Sequence, residues 1–221
     1  MYRKECPHWK YGIKTFYSKI IKKPDLMIIS YQPGGGEEYY IKEDKKNFLK
    51  RDFRPPTKNS KNAYEKGNND MAKFMQDFFN SCGKQKLFAE SVIFPLIFFR
   101  APSVDIWRKK MKKIKRLKLE QFCFSMVKEI VKELQPQNIL ILGFGTYNQM
   151  KKQKNGILQD VTPEGKTING KRKRRIATIR ECAGSRIFTS IHPTGSRPKL
   201  NVKEKELIKK AFADWINKGS R

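Results

Sequence analysis

Residues 119–145, LEQFCFSMVKEIVKELQPQNILILGFG, decide the fold. Phe122, Met126, Val127, Ile130, Val131 and Leu134 recur at helical spacing, so Leu119 to Leu134 reads as an amphipathic helix with those residues on its apolar face. Pro136 stops it, because proline has no N–H to extend the ladder. Asn138 to Leu142 is an apolar run of strand length, closed by Gly143-Phe144-Gly145, and a helix is expected after it. A helix that hands the chain to an apolar strand is the repeating unit of an α/β protein.

Upstream, Leu26-Met27-Ile28-Ile29-Ser30 reads as a buried strand. It runs into Tyr31-Gln32-Pro33-Gly34-Gly35-Gly36-Glu37-Glu38, a loop that no helix crosses. Residues 42–69 are polar and read as a long surface excursion. Asp70 to Ser81 is expected to be helical, with Met71, Phe74, Met75, Phe78 and Phe79 on one face. Ser91 to Phe99 reads as a second buried strand that leads to Arg100-Ala101-Pro102. Downstream, residues 151–175 are polar and basic, and Ile176–Ile179 and Arg186–Ile191 read as the last strands. The second of these ends in His192-Pro193-Thr194-Gly195-Ser196. Asn201 caps a final helix with Glu204 three residues on, and Leu207, Ile208, Ala211, Phe212, Trp215 and Ile216 form its apolar face.

A chain of 221 residues suits one domain. The expectation is a single domain over 1–221, a three-layer α/β/α sandwich around a central, mostly parallel four-stranded sheet. Such sheets bind ligands at the carboxyl ends of their strands. The Gln32–Glu38 and His192–Ser196 loops both follow strands and are expected to meet there.

Lys and Arg total 49 against 21 Asp and Glu, a formal charge of +28. A compact state this charged repels itself, and a polyanion relieves the repulsion, so nucleic acid is the expected partner. The densest tracts are Arg108–Lys118, RKKMKKIKRLK, and Lys171–Arg175, KRKRR. No apolar run is long enough to span a bilayer, and no apolar segment follows the basic N-terminus as in a signal peptide. A monomeric cytoplasmic protein with no membrane partner is expected. The cysteines at 6, 82, 123 and 182 form no close pair, and the histidines are only His8 and His192. Neither set supports a metal site, and no cofactor is implied.

Four segments in order resemble the uracil-DNA glycosylase superfamily. Ser30-Tyr31-Gln32-Pro33-Gly34 is similar to the superfamily's first motif, with Glu37-Glu38 after it. Phe99-Arg100-Ala101-Pro102 resembles its Arg-Pro segment. Pro136 to Gly143 resembles its Pro-x-x-Ile-x-x-Leu-Gly strand, and His192-Pro193-Thr194 its His-Pro-Ser motif. The resemblance implies a DNA glycosylase that flips a base from double-stranded or single-stranded DNA and hydrolyses its N-glycosidic bond. It implies catalytic roles for Gln32, Glu37, Glu38 and His192: a carboxylate or amide orients water and stabilises the sugar cation, and a neutral histidine hydrogen-bonds the departing base. Tyr31, Pro33, Gly34, Tyr39, Tyr40 and Pro95 would line the base pocket. Arg100, Arg108, Lys109, Lys110, Lys112 and Lys113 would contact DNA, with Thr194, Gly195, Ser196 and Arg197 as the wedge. Uracil-specific families carry an asparagine in the second strand, where this chain has Phe94-Pro95-Leu96, so a modified base is expected instead of uracil. Some bacterial members excise modified cytosines in anti-phage defence, and the chain resembles those in this respect. Other readings stay open: a DNA-binding module of the same fold without the chemistry, a conventional uracil-DNA glycosylase, or a ribonucleoprotein component.

Overall fold

The computed structural model describes residues 14–34, 61–152, 156–158, 161–162, 165–182, 184–192 and 200–218. The strands are β1 (Leu26–Ser30), β2 (Val92–Pro95), β3 (Asn138–Leu142), β4 (Thr167–Asn169), β5 (Arg175–Cys182) and β6 (Ser185–Ser190). The helices are α1 (Asp70–Ser81), α2 (Gln85–Glu90), α3 (Val104–Lys110), α4 (Lys113–Leu134), α5 (Phe144–Lys151) and α6 (Val202–Asn217). One sheet runs in the order β2-β1-β3-β6-β5-β4. Its first four strands are mutually parallel, and β5 and β4 continue it antiparallel.

The α/β class is as expected, but the sheet has six strands of mixed direction, not four. The two extra strands form a hairpin on the β6 side. β4 is three residues long and largely exposed, so it lacks the apolar run that marks the buried parallel strands.

Every residue of β1 and β3 is buried. Side chains alternate across the sheet. Met27, Ile29, Phe94, Ile139, Ile141 and Ile187 share a core with Trp107 of α3, Cys123 and Val127 of α4 and Tyr147 of α5. Leu26, Ile28, Ile93, Leu140, Leu142 and Phe188 share the other with Met75 and Phe79 of α1 and Phe212 and Trp215 of α6. In the second core the Phe212 ring lies edge-on to Phe188 and Phe79, with centroids 5.4 Å away in each case.

Several elements differ from expectation. β2 stops at Pro95 and does not reach Phe99. Beyond it the backbone turns to the first loop, Leu96 N donating to Ser30 O at 2.7 Å and Ile97 N to Tyr31 O at 2.8 Å. α4 begins at Lys113, inside the basic tract. Its buried line runs through Cys123, Val127 and Leu134. Phe122 and Met126, each about 100° round the helix from a buried neighbour, are 53% and 41% exposed. Leu207 of α6 is 46% exposed. The expected capping box is present: Asn201 Oδ1 accepts from Glu204 N at 2.9 Å, and Glu204 Oε2 from Asn201 N at 3.1 Å. The end of the polar excursion is packed, not loose: Asn62 and Tyr64 are buried, and Tyr64 stacks on Tyr17.

Residues 14–18 run along the outer side of β2. Lys14 N donates to Phe98 O and Tyr17 N to Ile93 O, both at 2.8 Å. Ser18 Oγ accepts from Ile93 N at 2.8 Å. Among the described residues no helix is long and apolar enough to cross a membrane.

Candidate functional site

The parallel strands all end on one edge of the sheet. Ile29 pairs with Ile141, and Ile141 with Thr189. Three residues further along each strand stand Gln32, Phe144 and His192. Thr178 of antiparallel β5 pairs with Thr189, so three residues back along β5 brings Arg175 to the same level. The first loop and His192 therefore leave the same edge, from strands separated by two spacings, about 10 Å of sheet.

Gln32 is held on both sides by backbone. Tyr31 O accepts from Ile97 N, and Pro33 O from Ala101 N at 3.3 Å. Its Oε1 and Nε2 are both buried and have no hydrogen-bond partner among the described residues. Leaving such a group unsatisfied costs about 1–3 kcal/mol, so the amide calls for a donor and an acceptor from beyond the described residues. Ser30 Oγ, two residues earlier, is in the same condition.

His192 follows β6. Burial pushes its imidazole below the ordinary histidine pKa, because the charged form is poorly solvated there. It is the neutral form, donor on one nitrogen and acceptor on the other, that stands at the edge at pH 7. Gly143 makes room for it. Its φ is +95°, and a Cβ there would meet His192 Cβ at 3.3 Å. The backbone angle favours glycine, and the close approach leaves a side chain there little room.

The first basic tract meets the first loop directly. Arg108 is exposed, its guanidinium 5.8 Å from the Tyr31 ring centroid and its Nη2 donating to Tyr31 Oη at 3.4 Å. Burial raises the Tyr31 phenol, and Arg108 opposes that rise. Arg116 Nη1 donates to Arg108 O at 2.8 Å and its Nε lies 3.5 Å from Glu120, which also accepts from Trp107 Nε1 at 2.9 Å. Lys109, Lys112 and Lys113 are exposed on this flank. The Lys110 side chain lies outside the described residues. α4 starts with no acidic residue in its first turn and no side-chain cap, so its helix dipole and its cations add to one positive pole.

The second tract lies past β6. Lys171–Lys173 form a 3-10 turn between β4 and β5. Arg174 Nη2 lies 3.2 Å from Glu204 Oε2, and Lys171 N donates to Glu204 Oε1 at 3.1 Å. The Arg175 guanidinium sits 4.2 Å from the Phe144 ring centroid.

The remaining expected site residues fall as follows. Tyr31, expected to face the base, is 8% exposed and belongs to the core beneath Arg108; its ring is part of the packing, not an open stacking face. Pro33 and Pro95 are buried and Gly34 is exposed. Arg100 is half-buried, with its charge felt at Tyr64. Glu37, Glu38, Tyr39, Tyr40, Thr194, Gly195, Ser196 and Arg197 lie outside the described residues. Phe144, Gly143 and Arg175 come to the edge without having been singled out as site residues. The signal for the first two was the Gly-Phe-Gly turn at a strand end.

A cleft of about 430 Å³ lined by Lys22, Lys23, Lys132, Glu133 and Gln135 opens at the opposite, amino edge. Among the described residues no group of three His, Cys, Asp or Glu side chains is placed to hold a metal. No protein-family model matches the chain, and no curated protein matches it.

Proposed function

We propose that this chain is a DNA-binding enzyme of the glycosylase type, which flips a modified or damaged base and hydrolyses its N-glycosidic bond. The observation that carries the reading is the pairing, on one sheet edge, of a buried amide at Gln32 with no partner among the described residues and a neutral imidazole at His192. Around them lie two basic tracts, one on each flank. Four of the six strands, β2, β1, β3 and β6, are mutually parallel, as the expected central sheet would be, and β5 and β4 extend it antiparallel.

In this reading Gln32 Oε1 accepts a hydrogen bond from the attacking water and faces the sugar as C1′ becomes positive. The bond from C1′ to the base nitrogen breaks, and its electron pair leaves with the base. The water oxygen bonds to C1′ and loses its proton. Neutral His192 donates to the base oxygen as charge gathers on it, which a histidine can do without being cationic. The product is an abasic site. An amide cannot take the water's proton, so the base for that step is Glu37, Glu38 or solvent. The partner is DNA, bound by a monomer in the cytoplasm, with no membrane or cofactor involved.

Phe94, Pro95 and Leu96 are buried side chains with no amide among them. They cannot pair with the uracil edge, and a site without that pairing does not reject analogues that lack it. A bulkier modified pyrimidine, such as a modified cytosine of phage DNA, is therefore the preferred substrate.

The test is a panel of duplexes carrying uracil, other deaminated bases or hypermodified cytosines, scored for abasic sites with the unaltered chain, Gln32→Ala and His192→Ala. Abasic sites at a modified cytosine, reduced about 100-fold or more in either variant, are expected. Binding without abasic sites on any duplex favours the second reading, a DNA-recognition module of the same fold, which Gln32, an amide that cannot take the water's proton, supports.

A further inference from the structure

We propose that Phe144 and Arg175 form a stacking platform for an unpaired nucleobase beside His192. The proposal rests on the reading of the carboxyl edge as a DNA site and adds the place where an extruded base is held.

Gly143, at φ +95°, turns the chain sharply from β3 into α5 and sets Phe144 at the first position of that helix. Arg175 opens β5, the first antiparallel strand, level with His192 by the pairing of Ala177 with Ser190. The two residues come from elements far apart in sequence and meet only because the sheet continues past β6. Phe144 is half-buried and Arg175 exposed, with the guanidinium 4.2 Å from the ring centroid.

The neighbours in the same tract are used differently. Arg174 faces Glu204, whose carboxylate also caps α6. Arg175 makes its described contact with the Phe144 ring, where it is braced by a hydrophobic surface and left open on its solvent side. An exposed cation over a ring contributes little to a fold, so stability is a weak reason for this arrangement. A planar cation fixed on an aromatic ring presents to solvent what stacked bases bind: a flat surface that carries the charge their phosphates seek. The platform is of the kind that Tyr31, placed in the core, does not offer.

The experiment uses the full chain and two duplexes, one fully paired and one with a single bulged 2-aminopurine, at one salt concentration. Affinity is read by anisotropy and stacking by quenching of the 2-aminopurine. The unaltered chain is expected to prefer the bulged duplex and to quench its fluorescence. Arg175→Lys keeps the charge and loses the plane. Phe144→Leu keeps the bulk and loses the ring. Each is expected to weaken binding to the bulged duplex about tenfold and to remove the quenching, with the paired duplex changed by no more than about threefold. Arg175→Lys lies on the surface and tests the idea even where Phe144→Leu disturbs the fold. An Arg175→Lys chain that matches the unaltered one in quenching and bulge affinity overturns the platform, as does an equal loss on both duplexes. An unaltered chain that binds the paired duplex but shows no preference or quenching for the bulge overturns the platform and leaves the DNA reading standing. An unaltered chain that binds neither overturns both.

Discussion

The two basic tracts are nearly indistinguishable as sequence, RKKMKKIKRLK and KRKRR, and differ as structure. The first lies on α3 and the start of α4, where Lys109, Lys112, Lys113 and Lys118 are exposed and the first turn of α4 holds no acid. The second is a turn in which Arg174 meets a buried carboxylate and Arg175 lies on an aromatic ring. One tract is a field of charge, and the other is a set of fitted parts. Charge density alone does not separate them; what each cation faces does.

The largest effect is expected from the first tract. Changing Lys112, Lys113 and Lys118 together to Gln should weaken duplex binding about 10- to 100-fold at low salt, evenly across sequences, and lower the slope of log K against log salt by about 2–3. Thermal stability should hold or rise, because cations near a helix N-terminus oppose its dipole. Anisotropy titrations from 50 to 200 mM salt and a melting curve check both. A salt response that the substitutions leave unaltered would remove the tract from the interface.

The second tract should answer in the opposite way. Arg174→Ala and Glu204→Gln should each lower Tm by several degrees and leave the salt slope unaltered. Hydrogen bonds from Asn201 N and Lys171 N, with the Arg174 charge, hold the Glu204 carboxyl below the 4.5 of an ordinary glutamate. A depressed carboxyl pKa stabilises the fold above its unfolded value, and that contribution is lost as pH falls through the folded one. The Tm gap between the unaltered chain and Glu204→Gln should therefore be full at pH 7 and close below 4.5. A gap independent of pH would show that the carboxylate charge is not what holds the turn.

His192, between the tracts, sharpens the contrast with a third pH range. Its folded pKa is lowered by burial, so the fold prefers it neutral, and stability falls as pH drops below the ordinary value of 6.5. Between pH 7 and pH 5 the unaltered chain should lose more Tm than His192→Gln. Parallel melting curves over that range would argue that His192 stays solvated. The smallest effect is expected at Tyr31→Phe, which removes the bond from Arg108 and keeps the ring: about two- to threefold in duplex affinity, under 1 kcal/mol.

How legible these features were depended on what each element buries. β1, β3, α1 and α6 could be read because they face cores, and burial on both sides of a strand or one side of a helix imposes its own periodicity. β4 and the ends of β5 could not, since Thr167, Asn169, Arg175 and Glu181 belong to a hairpin with exposed positions and no need of an apolar run. The start of α4 was hidden by its lysines, which look like a break and are helical. The position of Gln32 and His192 on one edge followed from both loops succeeding parallel strands. Their company did not: Arg175 reaches Phe144 only through the register of β5 on β6, which no local pattern encodes.

The segment at residues 14–18 has a consequence for how the molecule behaves in a crowded solution. β2 is the outermost strand on its side, and an outermost strand is a template that any extended chain can extend. Here Lys14, Tyr17 and Ser18 occupy that rim with their own hydrogen bonds, as a selvedge keeps cloth from fraying. Cutting the chain back past residue 18 would uncover the row Val92-Ile93-Phe94, apolar and β-prone, ready to pair with another copy. Such a truncated chain should elute as soluble oligomers or precipitate, although nothing at the carboxyl edge would have been touched.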